Sequence, residues 1–217
     1  MKVYDGEDNQ LILKSASGTD YTADGFVYSV KQYARNKAES GSTEEMRALA
    51  KALDNYGTAA QICFRYGDYS GLSVDAAVTA VTLNDLVPYM LSTSGTRPAG
   101  VTGAGIVVEF DTDNTLRITF KTDGSKALGD YTFLLDNAQT VPARSGNNGY
   151  LQVENIAAPN LDIAHTFTVT DGVDTYTVTA SALSYAYTSV KNGTEARQDL
   201  GKALYLYSQA ADAMFGN

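Results

Sequence analysis

The chain has no tryptophan, one cysteine, one histidine and four prolines. Its lone thiol, Cys63, excludes an internal disulfide framework. Cys63 and His165 stand at unrelated places, so a zinc site built on Cys and His ligands is excluded too. Positive charge is scarce: 16 Lys and Arg face 25 Asp and Glu, for a net charge of −9 and a pI near 4.5. No basic cluster exists to neutralise phosphates, which argues against nucleic acid as a partner. No run approaches the ~18 apolar residues of a spanning helix, so no membrane insertion is expected. Met1-Lys2-Val3-Tyr4-Asp5 lacks the apolar core of a signal peptide. A Met ahead of what reads as mid-strand is expected of a piece of a longer protein, so this start does not fix the compartment.

What the chain does have is ample apolar material, 44% of 217 residues, with only 19% charged, as in a globular fold. Its abundance of Thr, Ser, Asn and Gly leans towards export. Its most informative feature is a helix written twice. Residues 49–64 and 200–215 both fit Leu-x-Lys-Ala-Leu-x-x-Tyr-x-x-Ala-Ala-x-x-x-Phe, at a constant offset of 151. Thr43-Glu44 matches Thr194-Glu195 at the same offset. Such self-similarity marks a module used at least twice.

The rest reads as alternating helical and strand-like stretches. Residues 1–14 predict a hairpin around the turn-like Asp5–Asn9. A helix follows over Phe26–Lys37, with Phe26, Val30, Tyr33 and Lys37 on one face. After the break at Gly41-Ser42, Thr43 caps a second helix with Glu44 and Glu45 in its first turn. Its apolar stripe is Leu49, Leu53, Tyr56, Ala60 and Cys63. A short helix is expected near Leu83–Met90, then a Ser/Gly/Pro-rich stretch over Ser92–Gly105. Strands are predicted at Ile106–Phe110 and Leu116–Lys121, around the hairpin turn Asp111–Asn114. Further strands fall at Tyr131–Asp136, Tyr150–Asn155, His165–Thr170 and Thr175–Ala180. Helices over Ala182–Val190 and Thr194–Phe215 close the chain. The repeat extends beyond them: Ser29-x-x-x-Tyr33-Ala34 recurs as Ser181-x-x-x-Tyr185-Ala186, and Val3-x-Asp5-Gly6 as Val169-x-Asp171-Gly172.

A β domain ending in a Ser-x-x-x-Tyr-Ala helix start, then Lys-Ala-Leu-x-x-Tyr-x-x-Ala-Ala, resembles a known module. It is similar to repeats in large secreted or wall-attached proteins of anaerobic Gram-positive gut bacteria, ruminococcal and clostridial in type. Val153-Glu154-Asn155-Ile156-Ala157-Ala158 with Leu161-Asp162 adds to the likeness. The resemblance covers nearly the whole chain, most clearly 26–66 and 150–215. It implies an extracellular, surface-attached or secreted setting and a repeated architecture, not catalysis. Some proteins of such systems adhere to dietary polysaccharides, starch among them.

Few residues offer chemistry. His165 shares the parity of Phe167 and Val169, which places it at the end of a core-facing row, without recognisable dyad partners. Cys63 answers to Met214 in the second copy, a packing position. The acidic stretches Asp5–Asp8, Asp111–Asp113 and Asp171–Asp174 lack a calcium-loop ligand series and read as solvated turns. Gly100–Gly105 has no following Lys-Ser/Thr and is not a phosphate loop. No catalytic residue, metal site or cofactor is expected. The aromatic supply is of more interest, with 15 Tyr and 7 Phe, because Tyr offers a sugar both a ring and a hydroxyl. Tyr56 matches Tyr207, and Tyr33 matches Tyr185, at core spacing, so these read as fold residues. Tyr187 stands where the first copy has Arg35, and Tyr205 where it has Asp54. With Tyr66 and Tyr69 of the Tyr-Gly-Asp-Tyr-Ser-Gly loop, these mismatched tyrosines are the candidate ligand residues.

The expected fold is α+β: an immunoglobulin-like antiparallel β-sandwich flanked by two repeat-related helical hairpins. The expected layout is a partial repeat unit over 1–70, the sandwich over 71–180 and the second hairpin over 181–217. The two hairpins are expected to pair, since each has one apolar stripe to cover. The expected role is a non-catalytic extracellular module that binds polysaccharide, starch-like or another dietary glycan. The alternative is a structural spacer whose partners are neighbouring modules of the same protein.

Overall fold

The computed structural model describes residues 13–14, 20–21, 30–110 and 114–216. The amino-terminal hairpin's turn and first strand, the start of the Phe26–Lys37 helix and the Asp111–Asp113 turn lie outside the described residues. The architecture is mixed α+β with two antiparallel sheets. The chain divides into two compact units, residues 1–54 and 55–217, and the division falls inside a helix.

In the first unit, β1 (Leu13–Lys14) pairs antiparallel with β2 (Asp20–Tyr21). Helix α1 (Val30–Ser40) turns at Gly41 into α2 (Glu44–Phe64). The Gly41 amide donates to the Lys37 carbonyl at 2.9 Å. A Cβ there would fall 2.6 Å from the same oxygen, so the turn requires glycine. Thr43 caps α2 as its sequence predicts, its Oγ1 accepting the Met46 amide at 3.2 Å. Arg47 donates back to the Gly41 carbonyl at 2.7 Å, and an Arg35–Asp54 pair at 3.2 Å ties α1 to α2. Tyr33 departs from the reading as a fold residue: it is 48% exposed, with Lys37 Nζ 5.6 Å from its ring centroid. Its neighbour Ala34 is the buried residue of that turn, so the packed face of α1 is rotated by one position.

The second unit continues α2 from Asn55 and adds α3 (Ala76–Ala80) and α4 (Leu83–Leu86), which runs into a 3-10 turn at Val87–Tyr89. Its strands are β3 (Ser92–Gly95), β4 (Val101–Phe110), β5 (Asn114–Thr122), β6 (Thr132–Leu135), β7 (Ala138–Thr140), β8 (Ala143–Ser145), β9 (Asn148–Val153), β10 (His165–Thr170) and β11 (Thr175–Ala180). They form one sheet of order β3-β11-β10-β6-β7 and another of order β4-β5-β9-β8. Leu116, Ile118 and Phe120 alternate with Arg117, Thr119 and Lys121, as the period-2 pattern requires, and all three are fully buried. Phe133, Phe167, Val169 and Val178 from the other sheet join them in a single core. The Phe120 ring lies 5.9 Å from Phe133 and 6.3 Å from Tyr176 in tilted and edge-on contacts. Each such aromatic contributes on the order of 1.5–3 kcal/mol by leaving water.

The Ser92–Gly105 stretch is not simply a linker: it supplies β3 and the first half of β4. Strand β3 has four exposed small residues and is held by backbone pairing to β11 alone, so it carries no apolar alternation. Gly95 there has φ +80°, and a Cβ would collide with the Thr175 carbonyl.

Two helices complete the unit, α5 (Ala182–Asn192) and α6 (Glu195–Phe215). Ser184 Oγ accepts the Ser181 amide at 2.9 Å at the start of α5. The turn to α6 repeats the first one: the Gly193 amide donates to Ser189 at 2.8 Å, and Gln198 reaches back to the Gly193 carbonyl at 3.1 Å. Where α5 and α6 meet, Gly201 admits the Ala186 carbonyl, which a Cβ would approach to 2.8 Å. The end of α2 also packs on α6. Tyr56 stacks on Tyr207 with centroids 5.9 Å apart and planes 19° apart. Ala59 forms a buried cluster with Leu200, Ala203 and Val78, and Cys63 rests against it, a packing position as its counterpart Met214 implied. Residues after Tyr56 thus meet residues before Tyr207, as in an antiparallel crossing of the two repeat helices.

Candidate functional site

Beside that crossing lies a groove of about 880 Å³. One wall is the end of α2, where Tyr56, Ala60 and Phe64 recur at the helical spacing that keeps them on one side. The facing wall is Ile106–Glu109 of β4, an edge strand paired only with β5. The third side comes from the helix turn: Tyr185, Thr188 and Asn192 of α5, then Arg197 of α6. The wall rings differ in their freedom. Tyr56 and Tyr185 are half-buried against the core, whereas Phe64 is 66% exposed at the rim.

The charges in this groove are not equivalent. The Glu109 carboxylate takes a 2.7 Å bond from Arg117, whose guanidinium also lies 4.5 Å from the Tyr150 centroid, so this acid is neutralised. Arg197 has no acidic partner among the described residues. Burial, with the neighbouring Tyr185 and Tyr207, pushes the Tyr56 phenol well above its ordinary range, which keeps it neutral as a hydrogen-bonding group. The Thr188 hydroxyl donates to the Ser184 carbonyl at 2.9 Å and keeps its lone pairs for a ligand. Rings flanked by hydroxyl, amide and guanidinium groups make a surface for a polar ligand with an apolar face.

None of the four sequence-selected tyrosines lines this groove. Tyr187 is a core residue, 8% exposed, with Lys191 Nζ 5.6 Å from its centroid, which removes it from the surface candidates. Tyr205 is half-buried against the core, 6.1 Å from the Tyr89 ring. Tyr66 and Tyr69 do face solvent, at 76% and 40% exposure, in the loop that leaves the Phe64 rim. Arg65, at φ +54°, ends α2 and turns the chain into that loop. The groove residues Tyr56 and Tyr185 have matched partners in the other copy and so read as purely structural. Arg197 had a visible signal: the first copy has Met46 at that place.

His165 is half-buried, opposite Ala180 in the β10–β11 ladder. Its Nδ1 lies 2.7 Å from Asp136 Oδ2, while Asp136 Oδ1 accepts the Thr166 amide at 2.8 Å. Asp136 has φ +49° in the β6–β7 turn, and these bonds clasp the turn to β10. Partial burial pushes this carboxyl up, but the bonds from His165 and Thr166 outweigh it and hold it below the usual range. Among the described residues no hydroxyl or thiol bonds to the other ring nitrogen.

The Asp171–Asp174 turn is closed by protein groups. Asp171 Oδ2 accepts from Lys126 Nζ at 2.9 Å, and Oδ1 accepts the Val173 and Asp174 amides at 3.2 and 3.0 Å. The Lys126 ammonium, with those amides, holds this carboxyl far below its ordinary range. The Asp5–Asp8 and Asp111–Asp113 stretches lie outside the described residues.

Comparison with protein-family models, with curated proteins and with solved structures finds no match to this chain.

Proposed function

We propose that this chain is a non-catalytic, extracellular module of a bacterial surface or secreted protein, and that it holds polysaccharide in the groove between α2, β4 and α5. The observation that carries the reading is the groove's composition: three aromatic rings with hydroxyl, amide and guanidinium groups on one open surface. Pyranose C–H faces pack on such rings while rim hydroxyls take the polar groups. The resemblance to repeats of gut anaerobes supports the compartment and the class of ligand, a starch-like or other dietary glycan. We read the two sheets as an immunoglobulin-like sandwich and the helix pairs as flanking hairpins of one repeated unit; their common core and matching glycine turns support this.

The test is a glycan panel on the intact chain. Saturable binding is expected, weakened by Phe64→Ala, whose exposed ring contributes little to folding. Absence of binding to every glycan would count against the proposal.

A second reading has an observation of its own. The two repeat helices pack on each other through equivalent tyrosines, Tyr56 on Tyr207, as expected of modules that brace one another in a spacer. In that case Phe64→Ala changes no binding, while Tyr56→Ala lowers thermal stability.

A further inference from the structure

The charged groups that line the groove differ in what they leave free for a ligand. Arg197 is a groove-lining cation with no acid partner among the described residues, in a chain whose acids outnumber its bases by 25 to 16. Its stem lies over Gly193, where a Cβ would fall 2.9 Å from Arg197 Cγ. That packing anchors the side chain at the groove wall. The groove's acid, Glu109, is already bonded to Arg117, so it neither pairs with Arg197 nor strongly repels an anion. A guanidinium presents two parallel donors that match the two oxygens of a carboxylate. The rings of Tyr56, Tyr185 and Phe64 in the same groove supply the stacking surface for a sugar bearing that carboxylate.

We propose that the ligand is an acid-bearing saccharide, its sugar carboxylate taken by Arg197 and its ring faces by Tyr56, Tyr185 and Phe64. This rests on the polysaccharide reading and narrows it from glycans in general to carboxylate-bearing ones. The repeat agrees with it. Thr188 and Asn192 stand where the first copy has the polar Asn36 and Ser40, whereas Arg197 replaces Met46, so the groove's cation belongs to the second copy alone.

The test uses the intact chain and galacturonate-, glucuronate- and sialate-bearing oligosaccharides, each beside its carboxyl-reduced form, with a neutral maltooligosaccharide and a poly-glutamate peptide. At least one acidic sugar is expected to bind, with carboxyl reduction weakening it about tenfold or more. Arg197→Gln is expected to weaken it similarly without lowering the melting temperature, since Arg197 is exposed and has no acidic partner among the described residues. Arg197→Lys should retain part of the binding and lose the geometric preference. Raised salt should weaken the acidic sugar alone. Equal binding of reduced and acidic forms, lost in Phe64→Ala, would overturn the acidic preference and leave the polysaccharide reading standing. Acidic binding indifferent to Arg197→Gln, or matched by poly-glutamate, would also overturn it. Failure of every saccharide would overturn both.

Discussion

Helices α2 and α6 carry the same motif, yet their shared positions are not buried alike. Leu204 is fully buried in the main core, whereas its counterpart Leu53 is half-buried. At a position the motif leaves free the contrast recurs, Thr58 being buried and its counterpart Gln209 exposed. The shared terminal phenylalanine is open in both, Phe64 at 66% and Phe215 at 60%. A motif shared between copies therefore does not guarantee a core role: Phe64 is a rim residue of the groove. Nor does mismatch guarantee a surface role. Arg35 and Asp54 form an ion pair between α1 and α2, and the second copy has Tyr187 and Tyr205 at those two places, one buried and one packed on the core. The ion pair of the first copy is thus replaced by two packed rings, Tyr205 against Tyr89 and Tyr187 beside Lys191. Arg197 for Met46 is a mismatch of another kind, since it puts at a groove a cation that has no acidic partner among the described residues.

The largest expected break in this comparison is at the motif's second leucine. Leu204→Ala should destabilise the chain by about 2–5 kcal/mol, because a fully enclosed site cannot collapse on the void. Leu53→Ala, at a half-buried position, should cost roughly half as much or less. Urea unfolding monitored at tyrosine fluorescence reads both. Equal losses would mean that the two copies contribute equally to the core.

The two turn glycines come next, and here the copies should behave alike. A Cβ at Gly41 or Gly193 would press on the carbonyl of the residue four before it, Lys37 or Ser189, and on the stem of Arg47 or Arg197. Alanine at either place should cost about 1–3 kcal/mol through the shift this forces. If only Gly193→Ala destabilises, the resemblance of the turns does not extend to their energetics.

A subtler test borrows a residue from one copy for the other. Asp212 stands where α2 has Gln61, and its Oδ1 is buried without a hydrogen-bond partner among the described residues. Burial, with the nearby Asp162 charge, pushes its carboxyl above the ordinary range. An acid raised by folding penalises the folded state once it ionises, so the penalty is present at neutral pH. It vanishes below the unfolded-state value, where both states are protonated. Asp212→Gln should therefore stabilise the chain at pH 7 by under about 1 kcal/mol. The gain should disappear near pH 3, which melting temperatures across that range would show.

These contrasts mark what the residues alone disclose. Strands β10 and β11 are visible end to end, because Phe167, Val169, Tyr176 and Val178 alternate with threonines towards one core. Strands β3, β7 and β8 are edge or near-edge segments with exposed side chains, held by a neighbour's backbone, and nothing in their own composition betrays them. The repeat disclosed both helix pairs, their glycine turns and the Thr43 cap. The groove could not be read in the same way. Its walls come from residues near 60, 107 and 190, and only tertiary packing sets Phe64 against Val107 and Asn192 across one space. The burial of Tyr187 was not legible either, because a single mismatched position says nothing of what packs around it.

The Arg35–Asp54 seam between α1 and α2 offers the finest comparison. Arg35 is half-exposed, so its bond to Asp54 is largely screened, and a double-mutant cycle with alanine should find a coupling of only about 0.2–1 kcal/mol. Asp54 Oδ1 is buried without a partner among the described residues, so removing Arg35 alone should cost more than removing Asp54 alone, which relieves that oxygen. Writing the second copy's residues into the first, Arg35→Tyr with Asp54→Tyr, then asks whether the exchange is transferable. If the seams are equivalent, each tyrosine alone should destabilise and the pair should recover part of the loss. If the double variant is merely the sum of the singles, the two positions changed independently. The mismatch at Tyr187 and Tyr205 would then need an explanation other than packing.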